Sequence, residues 1–174
     1  DRFSSVDPIL GPEMRSTGEV MGTGSTVGEA FAKSQAAGGT MLPVKGTVFI
    51  SVNDFDKATI LPAAKKLSEM GFALAASTGT ARYLFDNGLF PEVVLKVHEG
   101  RPNVVDHMRA GKIQLLINTP FGSNSLSGGR EMRIEAVRRK IPYTTTTSAA
   151  EAAVEAIAEL RKGGFSVRPL PHME

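Results

Sequence analysis

The 174-residue sequence contains no cysteine, which excludes a disulfide framework, a thiolate nucleophile and a cysteine-based metal site. Its three histidines, His98, His107 and His172, do not show the spacing of a metal site. No apolar run approaches the roughly 20 residues that a membrane-spanning helix needs, and no signal peptide is recognisable. The net charge of +2 gives no argument for nucleic-acid binding. We therefore expect a cytoplasmic protein that binds no metal, membrane or nucleic acid.

Length and composition are those of one globular domain. Hydrophobic residues make up 41% and charged residues 22% of the sequence, which is ordinary for a chain that buries a core. The length fits the usual range of about 100–200 residues per domain. Because the sequence starts with Asp1 and lacks an initiator methionine, we expect it to be part of a longer polypeptide.

From residue 47 onward, short apolar runs alternate with amphipathic stretches. The runs predict strands, and the stretches between them predict helices. Repeated strand–helix units predict an α/β fold with three αβα layers and a central, mainly parallel five-stranded sheet. We expect residues 1–45 to form a lead-in with one helix near 26–37, and residues 46–174 to form the main domain. The predicted strands cover residues 47–52, 72–76, 92–97, 113–118 and 141–145.

The second predicted strand ends in a small, hydroxyl-rich turn, Ser77-Thr78-Gly79-Thr80, which we expect to precede a short helix over 81–88. A helix N-terminus presents unpaired N–H groups and about +0.5 of a charge. Gly79 allows a ligand to approach the backbone, and the three hydroxyl groups add donors. The segment therefore predicts a phosphate or carboxylate site. The alternative is an ordinary strand–helix turn capped by serine or threonine.

Further polar side chains follow the other predicted strands. Lys57 follows the first strand, Lys96 lies at the end of the third, and Asn118 ends the fourth. Ligands of parallel sheets bind at the carboxyl ends of the strands. The lysines would supply charge to a phosphate, and Asn118 would face a sugar or base, which suits a nucleoside monophosphate. The alternative for each lysine is a solvated surface charge.

Two strings carry a resemblance to a known family: Glu13-Met-Arg-Ser-Thr-Gly-Glu-Val-Met-Gly22 and Lys96-Val-His-Glu-Gly-Arg-Pro102. Both resemble the C-terminal end of the large subunit of carbamoyl phosphate synthase, and the resemblance covers nearly the whole chain. It implies that residues 1–45 come from the end of an upstream ATP-grasp half. Residues 46–174 would then be an allosteric domain with the methylglyoxal-synthase-like, Rossmann-type fold.

The function that this resemblance implies is regulatory. In bacterial members the domain binds UMP as an inhibitor and IMP as an activator, and so controls carbamoyl phosphate synthesis for the pyrimidine and arginine pathways. The parent enzyme that the resemblance implies would be a glutamine-hydrolysing ligase that uses ATP, magnesium and potassium. This part alone is expected to be non-catalytic and without a cofactor. The implied partners are an anionic effector, the upstream ATP-grasp domains and the small glutaminase subunit, with homo-oligomer formation left open.

The resemblance also implies site residues by position. The phosphate of the effector would contact the lysines and the hydroxyl turn: Lys57, Ser77, Thr78, Gly79, Thr80 and Lys96. The sugar and base side would be formed by Asn118, Thr119, Pro120 and Gly129. Pro120 stands where nucleotide-binding members usually carry threonine, and Gly129 where serine is common, so polar contacts are lost on that side. Thr145 matches a position near the ornithine site of bacterial members.

Two other functions remain open on the sequence. Methylglyoxal synthase shares the fold, but its catalytic His-Asp pair is replaced by Val52-Asn53, and its second catalytic Asp by Glu99-Gly100-Arg101. A lyase is therefore the weaker alternative. The other is a subunit-assembly domain with a vestigial effector site. The last predicted helix favours this second reading through small residues suited to close packing: Ala149, Ala152, Ala153, Ala156 and Ala158.

Overall fold

The computed structural model describes residues 20–120 and 123–163. Most of the predicted lead-in, residues 1–19, and the C-terminal residues 164–174, which include His172, lie outside the described residues. Within the described ranges no helix is both long and apolar enough to cross a bilayer. Helices and strands alternate there in the order α1 (Val27–Ala37), β1 (Thr47–Val52), α2 (Lys57–Glu69), β2 (Ala73–Ala76), α3 (Thr78–Asp86), β3 (Glu92–Val93), α4 (Val104–Arg109), β4 (Leu115–Thr119), α5 (Ser123–Arg139), β5 (Tyr143–Thr144) and α6 (Thr147–Gly163).

The five strands form one sheet in the order β3-β2-β1-β4-β5, and every pairing is parallel. The predicted three-layer α/β fold is therefore confirmed. The chain adds β2 and β3 on one side of β1 and then returns to add β4 and β5 on the other. The order thus reverses between β1 and β4, which places a crevice at the carboxyl ends of these two strands.

The two central strands are buried on both faces. Every residue of β4 is buried, as are all residues of β1 after the first. Side chains alternate between the faces, so Val48 and Ile50 pack into one apolar cluster and Phe49 into the other. This explains the continuous apolar runs, which are typical of parallel strands covered by helices on both sides. Each fully buried aliphatic side chain stabilises the fold by about 1.5–3 kcal/mol.

Helix α1 packs closely against α6. A Cβ atom added to Gly28 would lie 2.8 Å from the carbonyl carbon of Glu155, so the backbones approach where only glycine fits. Ala153 and Ala156 of α6 are buried in the same apolar cluster as Ala32 of α1. At least these two of the small residues of α6 therefore pack against other parts of the same chain, and not against another subunit.

Three boundaries differ from the sequence expectation near the site. Helix α3 begins at Thr78, so three of the expected turn residues form its first turn. Strand β3 ends at Val93, because Leu95 already bridges to Asn103 and the chain turns away. Helix α5 begins at Ser123, where the sequence predicts a loop over 119–129. Serine, asparagine and glycine have low helix propensity, and the fold overrides it here.

Candidate anion-binding site

A cavity of about 90 Å³ lies at the carboxyl ends of β1 and β4, where the strand order reverses. Here Thr119 joins the two strand ends, because its Oγ1 accepts hydrogen bonds from the backbone N–H of Asn53 (3.3 Å) and from Asn53 Nδ2 (3.2 Å). The cavity therefore lies in the crevice that the sheet topology predicts. Its lining consists of Ser51, Val52, Asn53, Lys96, His98, Asn118, Thr119, Pro120, Gly129 and Met132.

A larger groove of about 430 Å³ lies between α1, α2 and α6. Its charged lining is one lysine, Lys66, against three glutamates, Glu69, Glu155 and Glu159. This excess of negative charge disfavours an anionic ligand. Of these two, the smaller cavity at the strand ends is therefore the better candidate for the phosphate-binding site.

The first turn of α3 lies at the end of the neighbouring strand, β2. Its N-cap residue, Ser77, has an extended backbone (φ −64°, ψ 152°) and makes no side-chain capping hydrogen bond. Thr78 and Gly79, which follow it, are exposed. The first N–H groups of a helix have no acceptor within the helix, and they carry the positive end of its dipole. This turn can therefore receive an anion from solvent.

The two buried hydroxyl groups of the turn hold it against β1. Thr80 Oγ1 accepts hydrogen bonds from the backbone N–H of Val52 (3.2 Å) and from Ser77 Oγ (3.2 Å). It also donates to the carbonyl oxygen of Val52 at 3.4 Å. Thr80 and Ser77 are only 1% and 2% exposed. Both therefore fix the conformation of the turn through buried hydrogen bonds. The surface that the turn exposes to solvent is formed by Thr78 and Gly79.

The ammonium group of Lys57 lies beside this turn. A Cβ atom added to Gly79 would be 3.7 Å from Lys57 Nζ. The lysine side chain is 17% exposed, and its Nζ pairs with Asp54 Oδ1 at 2.7 Å, whereas the Asp54 side chain is 88% exposed. A lysine with a largely packed side chain thus places its ammonium at the N-terminus of α3, and a solvent-exposed carboxylate is its partner.

The charge of Lys96 reaches the same region. The hydrogen bond from Lys57 and the charge of Lys57, together with the charge of Lys96, hold the pKa of the Asp54 carboxyl below its ordinary value. Lys96 is half-buried and also lines the cavity. The two lysines that the sequence selected therefore act on one region at the edge of the sheet.

Asn118 is fixed by two hydrogen bonds at the back of the cavity. Its Nδ2 donates to the carbonyl oxygen of Ser51 (3.0 Å), and its Oδ1 accepts from an Nη of Arg133 (3.2 Å). A Cβ atom added to Gly129 would lie 2.8 Å from Asn118 Oδ1. A side chain at position 129 would therefore force Asn118 or its neighbours to shift.

Of the predicted site residues, the structure brings Lys96, Asn118, Thr119, Pro120 and Gly129 together around the cavity. Lys57, Ser77, Thr78, Gly79 and Thr80 form the adjoining turn region at the ends of β1 and β2.

Thr145 follows β5 and is not part of the cavity lining. Its neighbour Thr144 is buried, and in the described part of the chain Thr144 Oγ1 has no hydrogen-bond partner. Among the same residues, no group of three or more His, Asp or Glu side chains could hold a metal ion.

Sequence reasoning missed two residues of this region. Arg133 lies in a stretch with several other arginines, and only its complete burial separates it from them. The second residue is Asp54, the ion-pair partner of Lys57. Its spacing of three residues from Lys57 is a signal that could have identified this pair.

Comparisons with known proteins support this description of the fold. The family model described as an MGS-like domain matches residues 59–145. The carbamoyl phosphate synthase large chain of Acidobacterium capsulatum is 49% identical over 170 residues, covering 98% of this chain and 16% of the relative. The C-terminal section of the large chain from Methanopyrus kandleri is 50% identical over 171 residues, covering 98% and 32%.

A third relative, the large chain from Methanosarcina barkeri, is 45% identical over 163 residues, covering 94% of this chain and 41% of the relative. The chain therefore spans between about one sixth and two fifths of the length of these three relatives.

Proposed function

Because the chain belongs to the family of MGS-like domains, we propose that it is the regulatory domain of a carbamoyl phosphate synthase large chain. In this proposal it binds a phosphorylated effector, a nucleoside monophosphate of the UMP or IMP type, that controls carbamoyl phosphate synthesis. The names and the high identity of its relatives support the assignment to that enzyme. The upstream ATP-grasp domains and the glutaminase subunit would be its partners.

The observation that carries the proposal is the position of the Lys57 ammonium beside the first turn of α3. Lys57 is the first residue of α2, where the helix dipole disfavours a cation. The charge of Lys57 is therefore unfavourable for α2, but it adds positive charge at the N-terminal turn of α3. A phosphate at that turn would receive charge-assisted hydrogen bonds from the ammonium and dipolar stabilisation from α3.

The cavity next to the turn is suited to the sugar side of such an effector. It is smaller than the pockets of about 300–1,000 Å³ that enclose whole ligands, and the exposed α3 turn lies outside its lining. The phosphate would bind at the turn and the nucleoside would extend along Lys96 and Asn118. Regulation would follow if the parent enzyme has two states that bind the effector with different affinity.

A thermal-shift titration of the chain tests this function. UMP, IMP and inorganic phosphate are titrated at low ionic strength, because a ligand that binds the folded state raises the melting temperature. At 100 times the dissociation constant the stabilisation is about 2.7 kcal/mol. We expect a saturable increase with UMP or IMP and a smaller one with phosphate. No increase with any of the three would contradict the proposal.

Replacing Asp54 by asparagine should strengthen phosphate binding. The Asp54 carboxylate occupies the Lys57 ammonium and must be displaced by an incoming phosphate. The Asp54 carboxyl is ionised at neutral pH, and the hydrogen bond from Lys57 lowers its pKa further. We expect the Asp54→Asn variant to bind inorganic phosphate about 2- to 5-fold more tightly, as the small contribution of an exposed ion pair allows.

Isothermal titration calorimetry at pH 7 measures the change. Asp86→Asn is the matched control, because it removes one negative charge at the other end of α3. Equal effects of the two substitutions would show that only net charge matters. Weaker binding by Asp54→Asn would place Asp54 among the groups that support the anion.

A further inference from the structure

Arg133 of α5 is completely buried, with 0% exposure, and is among the largest fully buried side chains of the described residues. A buried guanidinium is costly unless its donors are paired. One of its Nη atoms donates to Asn118 Oδ1 at 3.2 Å. Its neighbour Met132 lines the cavity, whereas Arg133 itself does not. The guanidinium therefore lies behind the cavity wall and reaches the cavity through Asn118.

This hydrogen bond fixes the orientation of the Asn118 amide. Arginine has only donors, so the oxygen of the amide must face Arg133 and the nitrogen must face the Ser51 carbonyl. One of the two Nδ2 hydrogens is used by Ser51. Among the side chains that the structure describes, no acceptor takes the second hydrogen, so Asn118, which is part of the cavity lining, can donate it to a ligand. Arg133 thus determines that this wall presents a donor and not an acceptor.

Gly129 supports the same arrangement. An added Cβ atom there would collide with an Nη atom of Arg133 as well as with Asn118 Oδ1. The absence of a side chain at position 129 is therefore what allows the guanidinium and the amide to meet.

We propose that Arg133 is a positioning residue for specificity: through Asn118 it makes the cavity select effectors that carry a hydrogen-bond acceptor on the nucleoside side. A ribose oxygen or a carbonyl group of a base satisfies this requirement. The inference rests on the proposed function, because it assumes that the nucleoside occupies the cavity. It assigns no role to Arg133 at the phosphate, which binds at the α3 turn.

The test compares a nucleotide with inorganic phosphate in the same variants of the chain. Arg133→Met removes the donor and keeps the length of the side chain. We expect it to weaken UMP or IMP binding about 3- to 10-fold, as the loss of one neutral hydrogen bond predicts. Phosphate affinity should change less than about 2-fold, since no phosphate contact is altered. Arg138→Met, an exposed position on the same helix, is the control.

A double-mutant cycle with Asn118→Ala identifies the route of the effect. We expect Arg133→Met to have no further effect on nucleotide binding once Asn118 is alanine. If Arg133→Met does not fold by circular dichroism, Arg133→Lys and Gly129→Ala replace it. Lysine should partly retain nucleotide affinity, and the methyl group of Gly129→Ala should reproduce the selective loss by separating the pair.

Three outcomes overturn the inference. Equal loss of phosphate and nucleotide binding would mean that Arg133 supports the fold or the general field of the site. Unchanged nucleotide affinity in folded variants would mean that the orientation of Asn118 does not matter. If the unaltered chain binds phosphate but no nucleotide, the nucleotide assignment and this inference fall together. If the chain binds the nucleotide and the substitutions of Arg133 do not change the affinity, only this inference is overturned and the proposed function stands.

Discussion

Replacing Lys57 by methionine is expected to weaken binding of phosphate and of the nucleotide effector by about 10- to 150-fold. This range corresponds to the loss of a hydrogen bond to a charged group, about 1.5–3 kcal/mol. The Lys57 side chain is only 17% exposed, so much of its stem is packed and the ammonium is held close to the α3 turn. Methionine keeps an unbranched side chain of similar length, which limits changes in packing. Isothermal titration calorimetry at constant ionic strength measures the loss.

Lys33→Met provides a closely matched control. Lys33 pairs with Glu29 at 2.8 Å, and its side chain is 16% exposed, compared with 17% for Lys57. It lies in α1, away from the strand ends. We expect this variant to bind phosphate with unchanged affinity. If the two substitutions weaken binding equally, the effect is one of net charge, and the assignment of Lys57 to the phosphate is wrong.

Replacing Thr80 by valine is expected to lower the free energy of unfolding by about 1–3 kcal/mol, the cost of leaving a buried polar group unpaired. The shape of the side chain is kept, but the N–H of Val52 loses its acceptor and Ser77 Oγ loses its partner. Both groups are buried, so water cannot replace the lost bonds at low cost. Urea denaturation with linear extrapolation measures the change.

Thr80→Ser separates the hydroxyl group from the methyl group of this side chain. Serine keeps the oxygen, so we expect this variant to retain most of the stability that valine loses. The hydroxyl of Thr80 ties α3 to β1, so we expect Thr80→Val to lower both the stability of the chain and its affinity for the effector. Unaltered stability of Thr80→Val would contradict the role of this hydrogen-bond network.

The sheet and the general position of the site follow from local sequence patterns. β1 is predicted with its observed bounds, because a β-branched apolar run has few alternatives to a buried strand. Lys57, Lys96 and Asn118 are predicted to lie at one edge because parallel strands end on the same side. The structure places all three in one region.

The start of α5 and the role of Arg133 could not be predicted in this way. The helix begins in a stretch of serine, asparagine and glycine that has no helical signal of its own. The burial of Arg133 depends on how α5 packs over β4, which no local pattern encodes. The pair of Asp54 and Lys57 differs from these two features, because its three-residue spacing is a local signal. The domain boundary at residues 45–46 remains a prediction.

The most direct test of a phosphate site at the α3 turn is a nuclear magnetic resonance titration of the ¹⁵N-labelled chain with UMP and with inorganic phosphate. We predict that both ligands shift the backbone amides of Thr78, Gly79 and Thr80 most strongly. UMP should in addition shift the side-chain amide of Asn118. The account would be contradicted if the resonances of these amides do not move while saturable shifts occur elsewhere, for example in the groove between α1, α2 and α6.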